Sequence, residues 1–291
     1  MTHPEVVVAG DATLDVHVSP MRPVAAGSDV PADVRMRPGG QGANLAVRLA
    51  RQGVGVTLVC ALADDPAGDV IRAALAADGV TLAALPAEAT GVIVVLGGED
   101  GERSMLSHRA VLSPLAADAA AGRSTGWLVV SGYPLLQPDA LRLAGRLAAL
   151  PMRRVLVGCA VANDALAAWL AAARELRPDL VIANRDEAET AHLDEPGAAL
   201  AITDASGAEV RIGAARASAA TTGGSAAVDT TGAGDAFAAR LVAGLLDAGW
   251  PPDEVQLQAA VTGAVELASA VARVRGAQAE VVGERPVTLR R

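Results

Sequence analysis

The sequence contains no lysine: its 24 basic side chains are all arginine. That absence speaks against three function classes. A P-loop phosphotransferase holds its phosphates with a lysine, a protein kinase relies on a strand lysine, and Schiff-base enzymes, those using pyridoxal phosphate included, need a lysine amine. Aromatic residues are nearly as scarce, with three Trp, one Tyr and one Phe, so the core has to be built from Ala, Val and Leu. Cysteine is limited to Cys60 and Cys159. Both lie in apolar strand-like runs where a thiol acts as a small hydrophobe, and no structural disulfide is expected. The longest apolar runs, such as Trp127–Val130 and Val155–Val157, fall far short of a bilayer span, and Met1–Gly10 lacks the basic start and cleavage site of a signal peptide. A net charge of −9 without a long arginine cluster leaves no footprint for nucleic acid or for an anionic membrane surface. The expectation is a cytoplasmic protein with a small-molecule partner.

What is present has the rhythm of an α/β protein. Short β-branched or Leu-rich runs (Glu5–Gly10, Thr57–Ala61, Gly126–Ser131, Arg154–Cys159, Leu180–Ala183, Ala199–Thr203) alternate with Ala-rich stretches (Gly42–Gln52, Ala67–Asp78, Pro138–Leu150, Ala165–Arg174, Glu187–Leu193). This is the pattern of a mostly parallel sheet covered by helices on both faces, a three-layer αβα sandwich. A length of 291 residues fits one such domain, 1–291, with an appendage. Two segments, about 15–38 and 91–110, break the rhythm and read as short strands, the second with a hairpin turn at Glu99-Asp100-Gly101-Glu102. They are expected to form a small antiparallel β lid. The last third carries two helices, Gly234–Ala248 and Asp253–Val271.

The strongest chemical signal is Asp229-Thr230-Thr231-Gly232-Ala233-Gly234-Asp235, directly ahead of the apolar run Ala236–Leu246. Glycines let main-chain N–H groups crowd at a helix N-terminus, where unpaired donors and the positive dipole end attract anionic oxygens. An isolated Asp at that position would equally serve as an N-cap. Farther upstream, Gly39-Gly40 ahead of a helix permits close approach of backbone to a ligand, and Asn44 on the first turn offers a donor and an acceptor, as a polyol requires. Asn184-Arg185-Asp186-Glu187 follows a strand and opens a helix; amide and carboxylate oxygens there suit a hydrated Mg²⁺, although an N-cap with Glu at the third position has the same appearance. His3, His17, His108 and His192 show no metal or triad spacing.

The Asp229–Asp235 stretch resembles the C-terminal signature of the ribokinase-like (PfkB) family of carbohydrate and nucleoside kinases, and Gly39-Gly40-Gln41-Gly42-Ala43-Asn44-Leu45-Ala46 resembles its N-terminal one. Gly10–Asp15, Asn184–Glu187 and Arg275-Gly276-Ala277 extend the resemblance over nearly the whole chain. It implies a ribokinase-like fold and an ATP-dependent kinase for a sugar or nucleoside hydroxyl. Asp235 would be the general base, and the turn of Gly232, Ala233, Gly234 and Asp235 the anion hole, with the N–H groups of Ala233, Gly234 and Asp235 holding the charge. Asp15, Gly39, Gly40 and Asn44 would grip the acceptor, together with Arg103 and Arg109, whose segment resembles the lid-proximal stretch of sugar and sugar-acid kinases. Asn184, Thr203, Gly207 and Thr231 would meet the nucleotide. Glu187 and Asn184 would serve Mg²⁺, and Asp229 and Thr231 a K⁺ ion. In departure from the family pattern, Ala205 and Ala208 replace two glycines of the nucleotide loop, and Glu280 stands where a Ser is usual near the K⁺ site. The resemblance further implies a homodimer through the lid. With few rings to stack on a base, a sugar is favoured over an adenosine- or pseudouridine-like nucleoside; a non-catalytic sugar-binding relative is the rival from another class.

Overall fold

The computed structural model describes residues 5–97, 103–123, 126–193, 199–221, 230–274, 276–281 and 284. In chain order the strands of the large sheet are β1 (Glu5–Ala9), β4 (Gly55–Leu62), β5 (Thr81–Pro86), β8 (Trp127–Ser131), β9 (Arg153–Val157), β10 (Leu180–Asn184), β11 (Leu200–Asp204), β12 (Gly207–Ile212) and β13 (Ala215–Ala220). They make a nine-stranded sheet in the order β13-β12-β11-β10-β9-β8-β1-β4-β5, parallel from β5 to β11 and antiparallel at the β11-β12-β13 end.

The pleat of β1 shows why both faces are covered. Val6 and Val8 join one apolar cluster, where α1 (Gln41–Arg51), α2 (Pro66–Ala77), α7 (Ala233–Ala248) and α8 (Glu254–Val271) pack. Val7 and Ala9 point the other way, toward α3 (Ala116–Ala121), α4 (Ala140–Ala148) and α5 (Leu166–Leu176). A central strand buried on both sides reads as a continuous apolar run, as Val6-Val7-Val8-Ala9 does. The sixth helix, α6 (Arg185–Thr190), follows β10 directly. Small side chains replace the missing aromatics as packing units: a Cβ added at Gly244 of α7 would come within 2.8 Å of Ala260 Cβ on α8. Cys60 and Cys159 are free and buried, and they belong to the clusters on opposite faces of the sheet, so they cannot pair.

The two irregular segments meet in a second sheet of β2 (Thr13–Pro20), β3 (Ala32–Gly39), β6 (Gly91–Gly97) and β7 (Arg103–His108), in the order β3-β2-β6-β7. The expectation of an antiparallel sheet needs correcting. β2 runs antiparallel to β3 but parallel to β6, because β2 continues from β1 while β6 returns only after β4, α2 and β5 have been laid down. The hairpin turn expected at 99–102 lies outside the described residues. One face of this sheet is apolar: Val16 is level with Met36 and Val94, Val18 with Val34, and Val94 with Leu106. Val34, Met36 and Leu106 on that face are 56%, 67% and 66% exposed. The opposite face carries Asp15, His17 and Arg37.

Candidate active site

β1 ends at Ala9, and the residues that follow carry the densest polar network. Asp11 is buried; its Oδ1 accepts from the Gly42 N–H (3.3 Å) and lies 3.1 Å from Ser131 Oγ, and its Oδ2 pairs with the Arg109 guanidinium. Arg109 also lies 3.7 Å over the ring of Tyr133. Gln41 locks the opposite side, accepting from Ser131 Oγ (2.7 Å) and the Gly132 N–H (3.0 Å) while its Nε2 donates to the Gly158 carbonyl (2.7 Å). Sequence reasoning missed Asp11, Gln41 and Ser131, whose partners lie far away along the chain.

Asp15 extends from β2 beside this network, with Thr13 Oγ1 donating to its Oδ1 (2.7 Å). Burial raises its pKa, against the opposing pull of Thr13. A Cβ at Gly39 would fall 2.0 Å from Asp15 Oδ2, so the glycine makes room for the carboxyl. Gly40, the residue ahead of α1, has φ 90°, and a Cβ there would meet the Asp11 carbonyl at 2.9 Å.

Asp235 sits in the first turn of α7, whose N-cap Gly232 has φ 81°. A Cβ at Gly232 would strike Ala277 at 2.6 Å, while one at Gly234 would meet nothing within 4 Å, so the start of the helix opens onto free space. The Ala233 N–H is engaged by the Thr230 carbonyl at 3.2 Å. Asn44 Nδ2 donates to Asp235 Oδ2 at 2.8 Å, and Asn44 Oδ1 accepts from Gln278 Nε2 at 2.9 Å. Asp235 keeps an accessible edge. Desolvation by the protein around it pushes its pKa up to about 7; the Asn44 hydrogen bond and Arg48 oppose the rise, and the charges of Asp11 and Glu187 add to it.

Asn184 and Glu187 form a reciprocal cap on α6: Asn184 Oδ1 accepts the Glu187 N–H (2.8 Å), and Glu187 Oε2 accepts the Asn184 N–H (3.0 Å). Burial raises the Glu187 pKa, against the Asn184 contact. Thr203 is level with Asn184 on the neighbouring strand. The expected nucleotide loop is a tight hairpin between β11 and β12, in which Asp204 Oδ1 accepts the N–H groups of Ser206 (2.8 Å) and Gly207 (3.2 Å). Neither Ala205 nor Ala208 has a positive φ, and Ala208 is a core residue of β12, so their replacement of glycine strains nothing here. Gly207 does need to be glycine, with φ 149° and a would-be Cβ 2.0 Å from the Ala219 carbonyl.

Thr231, Asp15, His17, Arg37 and Gln278 line a pocket of about 230 Å³ between the small sheet and the segment after α8. Arg103 opens β7. Asp229, Glu102 and Arg275 lie outside the described residues. The structure thus brings Asp15, Gly39, Gly40, Asn44, Arg109 and Asp235 around the end of β1 and the starts of α1 and α7. Asn184, Thr203, Gly207 and Glu187 cluster at the ends of β10 and β11.

The model of the pfkB family carbohydrate kinases matches residues 4–282. The chain belongs to that family. Its fold agrees with solved structures of kinases at low identity. The ribokinase of Thermotoga maritima is 18% identical with a TM-score of 0.74, covering 94% of each chain. A sugar kinase of Pyrococcus horikoshii, solved with ATP, is 20% identical with a TM-score of 0.76, again covering 94% of each chain. The adenosine kinase of Sinorhizobium meliloti is 22% identical with a TM-score of 0.75, covering 98% of this chain and 96% of that one. Comparison with curated proteins finds no match. Among the described residues no helix is long and apolar enough to cross a membrane.

Proposed function

We propose that this pfkB-family chain is an ATP-dependent phosphotransferase that phosphorylates a hydroxyl of a sugar or sugar-like small molecule. The state of Asp235 carries this reading: an accessible carboxyl at an open helix start, held by Asn44, with a pKa of about 7, where a general base works best near neutral pH. The acceptor oxygen attacks the γ-phosphorus of ATP, the bond to the bridging oxygen breaks with its electrons leaving on ADP, and the hydroxyl proton passes to Asp235. The first-turn N–H groups of Gly234 and Asp235 receive the developing charge, and Ala233 adds its own once it releases the Thr230 carbonyl. Asp15, Gly39, Gly40, Asn44 and Arg103 hold the acceptor. Arg109 helps to wall its site, but the Asp11 carboxylate already answers its charge, and its guanidinium occupies one face of Tyr133. That supports a neutral sugar over a sugar acid or a stacked nucleobase.

Asn184, Thr203, Gly207 and Thr231 meet the nucleotide. Mg²⁺ keeps most of its waters and takes one or two protein oxygens. Glu187 suits it, a carboxylate whose desolvation a cation would offset, with the Asn184 amide oxygen beside it. The ion, when bound, neutralises charge on the ATP phosphates. Thr231 is the described member of the pair suited to K⁺. The small sheet, segments 15–38 and 91–110 of a single catalytic domain, acts as a lid that keeps water from the reaction. Its exposed apolar face supports a homodimer made through the lid. Two free, buried cysteines accord with a cytoplasmic setting.

The test is an ADP-release screen with ATP and Mg²⁺ across pentoses, hexoses, sugar acids and nucleosides, paired with calorimetric binding. Turnover of a neutral sugar is expected. Binding without turnover for every acceptor would replace the proposal with a sugar-binding protein.

A further inference from the structure

We infer that Gln278 is a positioning residue for the base: it sets which way the Asn44 amide points and, through it, how readily Asp235 holds a proton. This rests on the reading of Asp235 as the base. Asn44 stands between two partners, giving Nδ2 to Asp235 Oδ2 at 2.8 Å and taking Gln278 Nε2 on its Oδ1 at 2.9 Å. An ionised carboxylate can only accept a hydrogen bond. If the Asn44 amide turned over, its oxygen would face Asp235, a state tolerated only when Asp235 is protonated, and Gln278 would have to offer its own carbonyl oxygen in place of its NH₂. The two amide orientations and the proton on Asp235 are therefore one linked variable. With its NH₂ turned to Asn44, Gln278 keeps a donor aimed at the base.

The surroundings hold in place the main chain that carries this half-buried glutamine. Arg48 is fully buried on α1, one turn on from Asn44, and its Nη2 donates to the Ala277 carbonyl at 2.6 Å while Nη1 donates to Glu284 Oε1 at 2.6 Å. Arg51 Nη1 donates to the Gln278 carbonyl at 2.8 Å. On the other side the main chain of Ala277 packs so closely on Gly232 that a Cβ there would come within 2.6 Å. One stripe of α1 thus supplies both the amide in the middle of the relay and the anchors of the segment that delivers its far end, and that segment is wedged against the turn that opens α7.

The test is a titration of the Asp235 carboxyl by carbon NMR in the full chain, with pH profiles of kcat/KM beside it. Gln278→Glu gives Asn44 an acceptor, turns its amide, and is expected to raise the Asp235 pKa by about one unit, or about tenfold in proton affinity, with activity lost at neutral pH and recovered in base. Gln278→Met, which removes the donor without adding charge, should move the pKa in the same direction by less, and it carries the test if the Glu variant does not fold. In an Asn44→Leu background the Gln278→Met shift should vanish. An Asp235 pKa unchanged in both variants, or shifted equally with and without Asn44, overturns the inference. A wild-type chain that turns over no acceptor removes the base assignment instead, and the relay then stands or falls on the NMR titration alone.

Discussion

Asn44 and Asp235, 191 positions apart in the chain, are joined by a 2.8 Å hydrogen bond from the amide to the carboxyl. Each lies in the first turns of its helix, Asn44 on α1 and Asp235 on α7. The two signature segments of the sequence therefore converge on one pair of atoms, and the consequences can be measured.

Asp235→Asn keeps the size and the Asn44 neighbour but accepts no proton. With a cognate acceptor kcat should fall by about 10³-fold, within the span that general bases contribute, while circular dichroism stays native. Turnover near the wild-type level would remove Asp235 from the base role.

The pH dependence follows from the same carboxyl. Its pKa is about 7 in the folded chain against 3.8 for an ordinary Asp, so kcat/KM should drop as pH falls through about 7 and level off above it. For stability the sign is opposite: between these values the folded state holds a proton that the unfolded state has released, so the contribution is complete below 3.8 and is lost as pH rises through about 7. Tm measured at pH 4 and pH 8 should show Asp235→Asn relatively more stabilising at pH 8. An equal difference at both pH values would contradict the raised pKa.

Glu187→Gln separates capping from metal binding. Gln caps as Glu does, so Tm should move little, whereas the Mg²⁺ concentration for half-maximal activity should rise by at least about tenfold through loss of the anionic ligand. An unchanged Mg²⁺ requirement with an unchanged Tm would show that Glu187 only caps α6.

Arg109→Met leaves the Asp11 carboxylate, 3% exposed at its side chain, without its partner. Losing one member of a buried pair costs about 3–5 kcal/mol, which chemical denaturation would detect. Adding Asp11→Asn should recover part of that loss. If the double variant is as destabilised as the sum of the two single ones, the pair is not coupled as the geometry requires.

Met36→Glu combined with Leu106→Glu places charges on the exposed face of the small sheet. The wild type should sediment as a dimer and the double variant as a monomer. A monomeric wild type would end the proposal of pairing through the lid.

The central strands and most covering helices were legible in the sequence because β-branched runs and long Ala/Leu stretches have different periods, and the bounds mostly agree to within a residue or two, as at Glu5–Ala9 and Ala233–Ala248. β5, β12, β13 and α3 were not. Thr81–Pro86, Ala215–Ala220 and Ala116–Ala121 are alanine-rich, and alanine leaves the choice of strand or helix to the neighbours: β5 is a strand because β4 lies beside it, β13 because β12 does.

By itself the sequence determined the α/β class, the family and the identity of the acid and glycine residues at the starts of α1 and α7, since these depend on residue type and local spacing. Only the tertiary structure decided that Asp11 answers the charge of Arg109, that Gln278 reaches Asn44, and that the small sheet mixes parallel with antiparallel pairing. Those facts concern atoms brought together across the whole chain, where the energy of a charge or an amide depends on what surrounds it and local pattern carries no record of the partner.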